Sequence, residues 1–187
     1  MRKLIMWNVV TLDGCFEGEK SWDLSFHQIV WGEELERFVI EQLQTVGTIV
    51  FGKTTYEGMA AYWQNEKDET AEYMNSLPKV VCSSTIEKAD WNNSTIVRDA
   101  ATEIPKLKKQ EGKDVFVFGS GNLSETLMKE RLFDEYRLLI APVFLGKGKK
   151  LFADGLPYQK LTLLESRPLA TGGIILRYAH VTDEIRH

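Results

Sequence analysis

Four short runs constrain this chain more than any other feature. Leu4 to Val10, Thr48 to Phe51, Lys79 to Cys82 and Val115 to Phe118 are apolar nearly throughout instead of alternating with polar residues. Strands of that kind are buried on both faces, as parallel strands covered by crossover helices are. Helix-patterned stretches lie between them. Glu33 to Gln44 sets Leu35, Phe38, Val39 and Leu43 at helical spacing, with acidic residues at the end where the helix dipole favours them. Thr54 to Ala61, Glu69 to Asn75, Ala100 to Gln110 and Leu123 to Arg131 follow, and Pro105 marks either the start of the fourth helix or a break in it.

Beyond Arg131 the pattern changes. Glu135 to Pro142, Lys160 to Ser166 and Ile174 to Val181 read as strands without a helix between them, so hairpin or meander connections make this part antiparallel. The expected class is α/β: one domain over residues 1–187, with a mixed, mostly parallel central sheet flanked by helices and finished by antiparallel C-terminal strands. A plain doubly wound Rossmann domain does not end in this way. Composition then narrows the partners. A 43% hydrophobic, 27% charged chain is that of an ordinary folded domain. A formal net charge of −4 supplies no broad basic field, which argues against nucleic acid or an anionic membrane as partner. No apolar stretch approaches the roughly 20 residues of a membrane span. Met1 to Met6 reads as the opening of a strand and not as a signal peptide. Two distant cysteines, Cys15 and Cys82, make neither a disulfide framework nor a metal site, which suits the reducing cytoplasm.

Three turns put small or hydroxylated residues directly after a buried strand. They are Phe51-Gly52-Lys53-Thr54-Thr55-Tyr56-Glu57, Val81-Cys82-Ser83-Ser84-Thr85 and Phe118-Gly119-Ser120-Gly121-Asn122-Leu123. A helix N-terminus there offers free N–H groups and a positive dipole end. Glycine admits a phosphate to the backbone, and Lys53 adds a cation. Each turn alone is equally a tight connection, and Thr54 or Thr55 equally a helix cap. Parallel strands, however, bring all three to one edge, where an extended ligand with several phosphates can span them. The third turn lacks the Rossmann fingerprint, since Ser124 stands where the last glycine belongs. After the first strand, Thr11-Leu12-Asp13-Gly14 forms a turn, and Trp22, Asp23, Phe26, His27 and Trp31 follow in a loop. Aromatic rings with a few polar groups suit a flat heteroaromatic substrate; equally, Trp22 and Trp31 cap the core.

The chain resembles the RibD C-terminal domain family, whose members share the dihydrofolate-reductase-like fold. The resemblance is carried by Thr11 to Gly14, Phe51 to Glu57, Pro78 to Ser84, Val115 to Gly121, Asp134-Glu135-Tyr136, Ala141 to Gly148, and Leu151-Phe152, in the family's order. It implies NADPH along the strand ends. Gly52, Lys53, Thr54 and Thr55 would lie near phosphates, and Ser83 and Ser84 toward the 2′-phosphate. Gly119, Ser120, Gly121, Asn122 and Leu123 would lie at the pyrophosphate, and the backbone near Val9 at the carboxamide. Thr11, Asp13, Trp22, Asp23 and Trp31 would face the substrate. It also implies a homodimer, to which the C-terminal strands are suited. Lys53 departs from the family's usual arginine and so loses the planar fork. Ser120 stands where dihydrofolate reductases commonly have glycine. No zinc deaminase motif occurs in this sequence.

The implied chemistry is hydride transfer to a C=N or C=O carbon of a small heterocycle. The resemblance points to a 5-amino-6-(5-phosphoribosylamino)uracil reductase, with a dihydrofolate or pterin reductase, or a non-catalytic nucleotide-binding module, as alternatives. Dihydrofolate reductases use a carboxylate on the first helix for pterin recognition. Here Asp13, Asp23, Glu34 and His27 are the candidates for handling a proton, and each is equally a solvated loop or helix residue. Lys147, Lys149 and Lys150 are either suppliers of charge to a substrate phosphate or a solvated loop.

Overall fold

A computed structural model describes residues 1–180 of the protein. Its centre is an eight-stranded sheet. In chain order its strands are β1 (Leu4–Thr11), β3 (Val46–Gly52), β4 (Lys79–Cys82), β5 (Ser94–Val97), β6 (Asp114–Phe118), β7 (Glu135–Ala141), β9 (Leu161–Pro168) and β10 (Ile174–His180). They are arranged side by side as β5-β4-β3-β6-β1-β7-β10-β9. A separate two-stranded ribbon pairs β2 (Cys15–Glu17) with β8 (Lys149–Lys150).

From β5 to β7 every pairing is parallel. The antiparallel part begins one strand later than the connection pattern suggests. β7 lies parallel to β1, while β10 runs antiparallel to both β7 and β9. The β9–β10 hairpin therefore folds back, so that its second strand meets β7 and its first forms the sheet's edge. Val181, the last residue expected in this strand, lies outside the described residues.

Among the described residues six helices connect the strands: α1 (His27–Val30), α2 (Glu33–Leu43), α3 (Lys53–Trp63), α4 (Glu69–Ser76), α5 (Ala100–Lys109) and α6 (Gly121–Lys129). Side chains alternate along a strand, and β1 shows both destinations. Leu4 and Met6 enter the layer that holds Ile104 of α5 with Leu127 and Met128 of α6. Ile5 and Trp7 enter the opposite layer with Leu43 of α2 and Met74 of α4. Both faces of the central strands are thus covered, which explains runs without alternation. Pro105 lies inside α5, which continues past it.

Candidate active site

Parallel pairing carries the carboxyl ends of β1, β3, β4 and β6 to one edge of the sheet, and a cleft of about 730 Å³ opens along it. Val9 lines this cleft, as do Gly52, Lys53, Thr54 and Thr55 of the first turn, Ser83 and Ser84 of the second, and Gly119, Ser120, Gly121, Asn122 and Leu123 of the third.

The helix ends at the cleft are not equivalent. α4 and α5 begin with aspartates, Asp68 and Asp99, whose carboxylates accept N–H groups of their own first turns at 2.8 and 3.1 Å. α3 and α6 begin at Gly52 and Ser120 with no side-chain cap, and neither has an acidic residue in its first turn. Their N-terminal N–H groups and positive dipole ends are left to an outside anion. Because β3 and β6 are neighbours in the sheet, these two ends lie side by side.

The two turns are tied together. Ser120 N–H donates to the Thr55 hydroxyl oxygen at 3.0 Å, and Gly52 N–H donates to the Ser120 hydroxyl oxygen at 2.9 Å. Gly119 and Ser120 both take left-handed backbone, with φ of +61°. A Cβ at Gly119 would also sit 3.2 Å from Thr55 Cγ2. Only glycine fits there without strain. Ser120 tolerates the same φ while its hydroxyl carries the bridge.

Val9 is placed by strand lengths. β6 ends at Phe118, opposite Trp7, while β1 runs on against β7 as far as Thr11. The Trp7 carbonyl accepts from Gly119 N–H at 3.4 Å. By the two-residue alternation of a strand, Val9 turns its own N–H and C=O to that side, into the gap beyond β6.

On the other side of the cleft the expected residues divide. Trp22, His27 and Trp31 line it. Thr11, Asp13, Asp23 and Glu34 lie outside this lining. The Asp13 carboxylate accepts the Thr11 hydroxyl and the N–H groups of Leu145 and Gly146. That Thr11 bond first, and then the backbone donors, bring its pKa down to about 2. It clasps the end of β1 to the loop after β7. Asp23 accepts from the Ser25 hydroxyl at 2.9 Å, and Glu34 from Ala170 N–H at 2.6 Å. His27 is pulled down to about 4 by burial, so at pH 7 it is neutral and does not serve as an imidazolium acid. Of the three lysines, Lys149 lines the cleft and pairs with Glu17 at 2.6 Å. Lys150 donates to the Asp13 carbonyl. Lys147 lies outside the lining.

Three residues of the cleft carry signals that lay in the sequence. Arg98 follows β5, a Ser-Thr-Ile-Val run short enough to pass for a loop, and its guanidinium bonds the carbonyls of Ser83 and Ile86. It stands beside the second turn as a further cation. Glu17 lies in β2, which is too short to show periodicity, and its carboxylate accepts from Trp22 N–H. Gln42 occupies a position in the apolar stripe of α2, four residues before which stands Phe38 and seven before, Leu35. A polar residue in such a stripe is the visible signal. Cys82 also faces the cleft, but burial, and then the nearby Asp99, push its thiol up to about 12, which leaves it unreactive.

Comparison with known proteins gives the family and the fold. A model of the RibD C-terminal domain matches residues 2–175. Protein YyaP of Bacillus subtilis (strain 168) is 30% identical over 184 residues, covering 95% of this chain and 94% of its own. A putative riboflavin biosynthesis protein from Shewanella sp. PV-4 superposes with a TM-score of 0.78 at 18% identity, over 96% of this chain and 99% of that one. Dihydrofolate reductase from Enterococcus faecalis, solved with NADP(H) and RAB-propyl, gives 0.66 at 12% identity, over 96% and 97%. The shared architecture is the dihydrofolate-reductase-like fold.

Proposed function

The chain belongs to the RibD C-terminal domain family, and from that premise we propose that it is an NADPH-dependent reductase of a small heterocyclic substrate. The observation that carries this reading is the pair of uncapped helix N-termini, α3 and α6, side by side at the cleft. They suit a ligand with more than one phosphate. Arg98 bonds the Ser83 carbonyl, and Lys53 follows Gly52, the register partner of Cys82, so both cations belong to the stretch of cleft at Ser83 and Ser84, where a further phosphate of the adenosine ribose would need them. The similarity to a reductase solved with NADP(H) supports the same cofactor.

NADPH, when bound, supplies hydride to a C=N or C=O carbon. The first turns of α3 and α6 hold its phosphates. The free N–H and C=O of Val9 orient the carboxamide. Trp22 and Trp31 exclude water from the reacting side. His27 is neutral and Asp13 stands outside the cleft, so the proton comes from solvent and not from either of them. Among substrates, a ring like that of 5-amino-6-(5-phosphoribosylamino)uracil is the leading reading. A pterin fits less well, because none of Glu33, Glu34 or Glu36 on α2 lines the cleft. We place the protein in the cytoplasm as a homodimer. Leu163, Leu164 and Ile174, exposed on the β9–β10 hairpin, support a contact between copies.

Calorimetry with NADPH and NADH, followed by stopped-flow loss of NADPH absorbance with candidate rings, tests the proposal. Lys53→Ala should weaken NADPH about tenfold more than NADH, as loss of a charge-assisted phosphate bond does. Equal losses remove that role from Lys53, and absence of NADPH affinity overturns the reading. Tight binding without oxidation by any ring would favour the second reading, a nucleotide-binding module without turnover. What favours it is that neither His27, neutral at pH 7, nor Asp13, outside the cleft lining, offers a general acid to the substrate side.

A further inference from the structure

We propose that the deep end of the cleft selects its substrate by the polarity of the exocyclic groups on one ring edge, accepting an edge that carries carbonyl oxygens and rejecting one that carries amino donors, with Gln42 as the selecting residue. The inference rests on the proposed assignment of this side of the cleft to the substrate.

The deep end lies between α2, α3 and α4 over the sheet, and its walls are apolar: Trp7, Val39, Leu43, Met59, Trp63 and Met74. Two polar side chains interrupt them, Gln42 and Thr70. Gln42 is 3% exposed, and its Nε2 has no hydrogen-bond partner among the described residues. A buried amide left unpaired is costly, and a cleft that a ligand fills is where such a group finds its partner.

The amide cannot turn to suit either kind of partner. Arg137 Nη1 donates to Gln42 Oε1 at 3.2 Å. A guanidinium has donors only, so it requires the oxygen of the amide and leaves the NH2 group facing away. Arg137 is itself held, because its Nε bonds Glu135 Oε1 at 2.7 Å. Arg177 Nε bonds the same oxygen at 2.7 Å and continues the chain to Glu165 at 3.0 Å. Burial pushes Glu135 up, but the bonds from Arg177 and Arg137 outweigh it and keep the carboxylate ionised. The order Glu135, Arg137, Gln42 therefore fixes a donor at the end of the cleft. Thr70, with a hydroxyl that both donates and accepts, adapts to either edge and leaves the preference to Gln42. The carboxylates that line the cleft lie elsewhere: Glu17 is paired with Lys149 in the β2–β8 ribbon, and Asp99 caps α5. An amino-substituted edge would meet donor against donor with no carboxylate to receive it. A site built around one hydrogen-bond polarity rejects the opposite one strongly.

Two pteridines of one bicyclic frame test this: 1,3-dimethyllumazine, whose pyrimidine edge carries acceptors only, and 2,4-diaminopteridine. Binding to the protein saturated with NADP+ is read by quenching of tryptophan fluorescence, since Trp7 and Trp63 line the deep end. Wild type should bind the dioxo compound at least about tenfold more tightly. Gln42→Met, similar in size and without a donor, should abolish the preference, and Gln42→Glu should reverse it. NADP+ affinity, read separately, confirms that each variant is folded. Equal or tighter binding of the diamino compound to wild type overturns the inference, as does a preference that survives Gln42→Met. Failure of wild type to bind NADP+ refutes instead the proposed cofactor, and the edge preference is then read on the protein alone.

Discussion

Replacing His27 by glutamine takes away a ring that burial holds at about 4 instead of its ordinary 6.5. In the unfolded chain the ring titrates near the ordinary value. Between the two values the unfolded state binds more protons than the folded one, so stability is fully present above 6.5 and is lost as the pH falls toward 4. A shift of that size corresponds to about 3 kcal/mol. The ring is partly exposed, and water that reaches it shares the charge, so we expect about 2 kcal/mol of loss between about pH 7 and pH 4 from this residue. Aspartates and glutamates titrate in the same range, so the difference between wild type and His27→Gln isolates the histidine. In urea, with a slope of about 2 kcal/mol per molar for a chain of this size, the wild-type midpoint should fall by about 1 M more than that of the variant. Parallel midpoints over the whole range would show that His27 charges freely in the fold. In that case its neutrality at pH 7 could no longer be used to assign the proton to solvent.

Two further substitutions probe the architecture of the cleft. Ser120→Ala removes the acceptor of Gly52 N–H and should cost about 1–2 kcal/mol in urea unfolding while weakening NADPH binding; Ser120→Gly, which is relieved of left-handed strain, should cost less. Gly58→Ala puts a Cβ 2.6 Å from the Trp22 ring, so the ring must shift; the substrate KM should rise with NADPH affinity unchanged, and a kinetic profile like wild type would separate Trp22 from the substrate.

Much of the sheet was legible because its strands obey burial on two faces. Leu4 to Val10 or Val115 to Phe118 has little alternative but to lie between layers of helices. β5 was not legible, since Ser94–Val97 lies on an edge amid asparagines and needs only one half-buried face. β2 and β8 are held by the Glu17–Lys149 pair and by register, which local pattern does not encode. At the site, the strand-end turns could be read because glycine and hydroxyl residues advertise backbone access. Asp13 is ambiguous for a physical reason: Asp-Gly after a strand looks the same in sequence whether or not the carboxylate accepts, as it does here, the N–H groups of Leu145 and Gly146. Gln42 went unread, since its orientation depends on Arg137, ninety-five residues away.

The place of β1 in the sheet bears on how the chain reaches its fold. Its two neighbours arrive very late: Lys3 N–H bonds Asp114, 111 residues on, and Leu4 N–H bonds Asp134, 130 residues on. On a ribosome making about 5–20 residues per second, the first strand emerges and then waits on the order of 10 s for a partner. Over that interval Leu4, Ile5 and Met6, later wholly buried, are open to other chains. Every contact that closes the sheet across β1 spans most of the polypeptide, so folding is slow for a protein of this size. The same centrality that lets β1 present Val9 to the cleft leaves its apolar residues without their native neighbours until the chain is mostly made.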